Sequence, residues 1–121
     1  MNLKTKHKKY VGKEENLQKT VAYYLDSLGV LWFHPPNEIR AKPQYLAKRK
    51  LLGVKSGVPD VVILEPKGEW CGLFIELKVG YNKPSENQKV FLERLKMNGY
   101  KTLVSWSLDE VIEEIDKYLK P

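Results

Sequence analysis

Apolar positions 17, 21, 24, 25 and 28 recur at helical spacing over residues 13–28, and Gly29 follows as a stop. Glu14, Gln18, Val21 and Leu25 share one face of that helix, so Glu14 and Gln18 fall at the edge of its buried stripe. Residues 30–34 read as a strand ended by Pro35 and Pro36. The mixed, basic stretch 37–56 reads as a loop with a short helix between Pro43 and Gly53. Gly57-Val58-Pro59 is a turn signal, and 60–64 a second strand. Polar Lys67-Gly68-Glu69 leads in hairpin fashion to a third strand over 73–78.

Beyond a polar loop at Gly80, Asn82 and Pro84, residues 85–98 form another helical pattern closed by Gly99, and 101–105 a fourth strand. The last helix opens at Ser107 with Glu110 three residues on, which predicts a capping box, and its core face carries Val111, Ile112, Ile115, Tyr118 and Leu119. The order α-β-(α)-β-β-α-β-α predicts an α/β fold with a mixed sheet of about four strands and flanking helices.

A chain of 121 residues has room for one core and not two, so a single domain is expected over 13–121, preceded by a basic arm at 1–12. The apolar runs near 30–33 and 61–64 are far short of the roughly 20 residues that cross a bilayer. No membrane span is expected, and the charged amino terminus lacks the apolar run of a secretory signal. A lone Cys71 rules out an internal disulfide framework and suits a reducing compartment, so the cytoplasm is the default.

Charge changes this picture. The net charge of +6 is concentrated at Lys4, Lys6, Lys8 and Lys9, and at Arg40, Lys42, Lys48, Arg49, Lys50 and Lys55. Such clusters attract nucleic-acid phosphates by releasing condensed counterions, although a basic surface also serves solubility. Lys48, Arg49 and Lys55 are the candidate nucleic-acid contacts of the second cluster.

Side chains alternate along a strand, so Phe74, Glu76 and Lys78 face one way and Leu73, Ile75 and Leu77 the other. If the second and third strands pair, Asp60 at the start of one lies beside Glu76 at the end of the other. Both strands are nearly continuous in apolar residues, as in strands covered on two faces, where an unpaired charge is costly. Two carboxylates and an ammonium placed there suit a hard divalent cation such as Mg²⁺ and a phosphodiester. The bland reading of each residue alone is a turn aspartate and the solvated side of an edge strand.

Gly57-Val58-Pro59-Asp60 followed by Ile75-Glu76-Leu77-Lys78 resembles the signature of PD-(D/E)XK nucleases, and more narrowly the virus-type replication-repair nuclease family, VRR-NUC. The resemblance runs from Glu14 to the final helix and includes Glu14 with Gln18, Pro36-Asn37, the basic run and Ser85-Glu86-Asn87-Gln88. It implies Asp60 and Glu76 as metal ligands together with the Leu77 carbonyl, Lys78 as the catalytic lysine, Glu14 as an outer acidic residue, and Gln88 as a residue that positions substrate or lysine. Glu15 is adjacent to Glu14, and helical phase favours Glu14. Gln88 also fits a capping box with Ser85, and Asn37, which with Arg40 is a candidate substrate contact, also fits a turn.

The expected activity is therefore a Mg²⁺- or Mn²⁺-dependent DNA endonuclease with no small-molecule cofactor. Stand-alone phage or bacterial members resemble Holliday-junction resolvases, which implies branched DNA as substrate, a homodimer as the working form, and a bacterial or phage-infected cytoplasm. The rival expectation is a nucleic-acid-binding module that keeps the fold without cutting.

Overall fold

The computed structural model describes residues 7–36 and 42–120. Its elements are α1 (Glu14–Leu28), β1 (Trp32–Phe33), α2 (Pro43–Leu51), β2 (Val61–Ile63), β3 (Leu73–Leu77), α3 (Glu86–Met97), β4 (Lys101–Ser105) and α4 (Leu108–Leu119). The strands form one mixed sheet in the order β1-β2-β3-β4. The first two pairings are antiparallel, and β3 with β4 is parallel. Parallel neighbours need a crossover, and α3 supplies it. The α/β architecture expected from the pattern is the one observed.

Alternation along the strands sorts the sheet into two faces. On one, Val61, Ile63, Leu73, Ile75 and Leu77 join Leu17, Val21 and Leu25 of α1 and Val111, Ile115 and Tyr118 of α4 in a single buried cluster. The periodic apolar faces of α1 and α4 thus turn to the core, although Ile112 stays outside the cluster, whereas in α3 only Leu92 is buried and the expected apolar positions Val90 and Met97 are 58% and 78% exposed. On the other face lie Val62, Phe74 and Glu76, where α3 reaches Glu76 through the Gln88 side chain and buries its own Leu92. The polar end of β3 sits between the sheet and α3.

The ends of elements follow local chemistry. Gly29 closes α1 in the left-handed region at φ 68°, its N–H donating to the Asp26 carbonyl. Ser85 caps α3 with both halves of a capping box. The box expected at α4 is only half made. Ser107 Oγ accepts from the Glu110 N–H, but the Glu110 carboxylate takes the Ser105 hydroxyl instead, and Ser105 Oγ accepts from the Ser107 N–H. β1 is shorter than the expected 30–34, because its ladder ends with the three residues of β2.

Helix α2 stands apart. None of its residues is buried, and its last turn carries Lys48, Arg49 and Lys50. Its amphipathicity is weak, so it contributes cations to the surface rather than apolar area to the core. At the amino-terminal end, the Tyr10 N–H donates to the Trp106 carbonyl at 2.7 Å, and His7 pairs with Glu113 of α4. No helix among the described residues is long and apolar enough to cross a membrane.

Ile115 is fully buried where α1, α4 and the sheet meet. Ile115→Ala is expected to lower the unfolding free energy by about 2–5 kcal/mol, read by urea titration.

Candidate active site

The hairpin register sets the site. Val61 pairs with Ile75 across β2 and β3, so the next pair along joins Asp60 to Glu76. Asp60 Oδ2 accepts the backbone N–H of Leu77 at 2.8 Å, which holds its carboxylate against the end of β3. On its other side the Asp60 carbonyl is hydrogen-bonded to Nδ1 of His34 at 2.6 Å. His34, a strand-end histidine with no evident partner in the sequence, thereby fixes the backbone of an acidic site residue.

Glu76, Lys78 and Gln88 close a triangle. Lys78 Nζ lies 2.8 Å from Glu76 Oε2 and donates to Gln88 Oε1 at 2.9 Å, while Gln88 Nε2 donates to Glu76 Oε2 at 2.8 Å. Gln88 Oε1 also accepts the Ser85 N–H at 2.8 Å. The two readings of Gln88 are therefore both true at once: its side chain completes the α3 cap and reaches the charged pair. A capping residue is a rigid one, and here its rigidity is passed to the ammonium of Lys78.

All three charged groups are buried: Glu76 is 2% exposed, and Asp60 and Lys78 are each 8% exposed. Burial pushes the Glu76 carboxyl above its usual pKa, against the lowering pull of Lys78 and of a hydrogen bond with Asp60, and the charge of Glu14 adds to the rise. Among the described residues, Glu76 Oε1 is buried with no hydrogen-bond partner. Asp60 and Glu76 lie within hydrogen-bonding reach of each other, and two carboxylates are both acceptors when ionised. Only a proton or a cation can sit between them.

That donor set fits a divalent metal. No group of three or more His, Cys, Asp or Glu side chains among the described residues is arranged to hold an ion, but Mg²⁺ characteristically takes one or two carboxylates and fills its shell with waters and substrate oxygens. Asp60 and Glu76 meet that requirement, with Oε1 as the open acceptor.

These residues line a cleft of about 680 Å³. Its acidic floor comprises Asp60, Glu76 and, at the start of α1, Glu14; Lys78 and Gln88 lie beside it. The cleft is also lined by Arg49 and Lys50 of α2 with Lys55 of the following loop, and Leu46 and Val54 supply apolar surface. Glu15 points elsewhere, pairing with Lys19 at 3.1 Å on the outer side of α1. Of the basic candidates, Arg49 and Lys55 line the cleft, and Lys48 is exposed outside its lining. Asn37 and Arg40 lie outside the described residues, as do Lys4 and Lys6. Lys50 is part of the basic cluster but not of the expected contacts, and Leu46 and Val54 are not among the expected site residues, because their place in the lining depends on how α2 is hung over the sheet.

The loop that carries Asp60 is fastened to α3. Ser56 Oγ accepts from Asn87 Nδ2 at 2.9 Å, and Gly57 sits at φ 85° so close that an added Cβ would lie 2.6 Å from the Asn87 carbonyl oxygen. A mixed sheet with a buried Asp, Glu and Lys between β-hairpin and crossover helix, opening into a cationic cleft, defines a nuclease-type fold. Residues 11–106 match the VRR-NUC domain, and the chain belongs to that family. A solved structure described as "VRR_NUC domain protein" is similar at 30% identity and a TM-score of 0.73, covering 92% of each chain. Another, described as "VRR_NUC domain", is similar at 26% identity and a TM-score of 0.59, covering 89% of this chain and 99% of the other. No curated protein matches the chain.

Two outcomes follow from this geometry. Gly57→Ala combines a left-handed backbone with a clash against α3, and it is expected to destabilise the fold by more than about 1 kcal/mol, measured by urea unfolding. A raised Glu76 pKa means that the fold favours the protonated acid: its contribution to stability is present below the ordinary carboxylate range and is lost as pH rises through the raised value. A divalent cation should return that stability. Mg²⁺ is expected to raise the melting temperature more at neutral pH than in mild acid, by the equivalent of about 2.7 kcal/mol at a hundredfold excess over its Kd, and Asp60→Ala to abolish the shift.

Proposed function

We propose that the protein is a divalent-metal-dependent DNA endonuclease that hydrolyses phosphodiester bonds, acting on branched DNA of the four-way-junction kind as a homodimer. The observation that carries this reading is the buried, unpartnered Oε1 of Glu76 beside Asp60 and Lys78, in a cleft also lined by Arg49, Lys50 and Lys55.

The roles follow from placement. Asp60 and Glu76 would hold Mg²⁺ or Mn²⁺, with the Leu77 carbonyl as a further oxygen and Glu14 reaching the ion from the rim of the cleft. When bound, such an ion lowers the pKa of a water and offsets charge on the phosphate. Lys78 keeps its ammonium in place by donating to Glu76 and Gln88, and the remaining N–H is available to a phosphate oxygen or to the attacking water. Negative charge developing on the phosphate is thus met by a donor that needs no reorganisation. Gln88 holds Lys78, and Arg49, Lys50 and Lys55 bind the phosphodiester backbone across the cleft.

Branched substrates and pairing of two copies are supported by the family and by symmetry. A two-fold dimer presents two cleavage centres to the two strands of a symmetric junction.

Cleavage of four-way, flapped and linear DNA, with Mg²⁺ or with EDTA, tests the reading. Lys78→Ala is expected to lower kcat by about 10²–10³-fold, and Asp60→Ala to abolish cutting while still retarding DNA in a gel. Survival of every substrate in the presence of metal, with DNA still bound, would identify a non-cleaving binding module instead.

A further inference from the structure

A second cavity, of about 660 Å³, adjoins the catalytic cleft along the outer side of α3. Lys55 and Ser56 line both spaces, so the loop before Gly57 is their common wall. The Ser56 bond to Asn87 ties that wall to α3. A polynucleotide strand passing over Lys55 leaves one space and enters the other.

The cavity is suited to a nucleotide. No acidic side chain lines it, and its cations are Lys55 and Arg94. Elsewhere on the surface lysines stand beside carboxylates, as Lys89 does with Glu86, Lys96 with Glu93 and Lys117 with Glu113. Among the described residues neither Lys55 nor Arg94 takes part in such a pair. Their charge is left for an anion from outside, and phosphate is the anion that the neighbouring cleft handles.

Between the cations the lining is aromatic and apolar. Phe91 and Tyr100 contribute rings, and Tyr100 packs edge-on against Phe74 with centroids 5.3 Å apart, which fixes its orientation. Val90 is 58% exposed at the rim. Unstacked bases gain most from aromatic side chains flanked by cations.

We propose that this cavity is a subsite for an unpaired nucleotide of the strand being cut, with its phosphates on Lys55 and Arg94 and its base against Phe91 and Tyr100. The inference rests on the nuclease reading of the adjoining cleft and gives it a source of substrate selectivity. Continuous duplex has to break pairing and stacking to place a base in a side cavity, whereas flaps and junctions hold nucleotides for which that cost is small.

The test uses full-length protein silenced by Asp60→Ala, in EDTA, with fluorescence anisotropy of duplexes that do or do not carry a single-stranded tail. The tail is expected to strengthen binding by about tenfold. Arg94→Ala, at an exposed position, and Val90→Trp, which fills the cavity from its rim, should each cancel that gain and leave affinity for blunt duplex unchanged. An abasic tail should recover only part of the gain, and Arg94→Ala should reduce the salt slope on tailed DNA by about one. In the cleaving protein the same two changes should raise KM for tailed substrates and leave kcat alone.

Equal binding of tailed and blunt DNA by the protein with its cavity intact would overturn the subsite, as would an equal loss on both in Arg94→Ala. A shift in oligomeric state in Val90→Trp with the tail preference retained would assign the cavity to a protein contact and overturn it as well. The two readings fail separately. A tail preference lost in the variants without cleavage of any DNA sinks only the nuclease, and normal cleavage without a tail preference sinks only the subsite.

Discussion

A carboxylate at 2% exposure governs this structure. Glu76 sits at the carboxyl end of β3, on the sheet face that α3 covers, where water cannot solvate it. An isolated ion there would cost several kcal/mol even after relaxation. The surroundings answer that cost with Lys78 and Gln88 on one oxygen, leaving the other open beside Asp60. Glu76 Oε1 is thus a buried acceptor without a donor, and it suits a cation at this end of the cleft.

Each neighbouring element is placed by its link to this group. The β2–β3 register brings Asp60 opposite Glu76, and the Leu77 N–H orients the Asp60 carboxylate. The parallel pairing of β3 with β4 requires a crossover, and the helix that makes it starts next to the site. Its capping box then does two tasks with one side chain, because Gln88 satisfies the Ser85 N–H and grips Lys78. The stability of the α3 terminus and the position of the ammonium are consequently coupled. The loop 53–59 joins the same assembly through Gly57 and the Ser56–Asn87 bond.

Around this rigid centre the cationic parts are attached more loosely. Helix α2 buries none of its residues, yet its Arg49 and Lys50 line the same cleft as the acidic groups. An element without core packing can adjust to a substrate at little cost to the fold, since the local opening free energy of such a segment is small. The division is physical: acidic groups need fixed geometry to share one ion, while backbone phosphates are bound well by cations that only need to be near.

The sequence by itself determined the element order, the core faces of α1 and α4, the strand alternation that puts Glu76 and Lys78 on one side, and the cap at Ser85. All of these follow from local periodicity and short-range hydrogen bonding, which read directly from spacing. It also pointed to the hairpin that joins Asp60 to Glu76. Tertiary structure alone decided that Gln88 serves both cap and site, that His34 holds the Asp60 backbone, and that Glu14, which helical phase already favoured over Glu15, meets Asp60 and Glu76 at one cleft. Those outcomes depend on groups far apart in the chain meeting at one place. The spacing of residues along a helix or strand carries no information about which distant partner will be there.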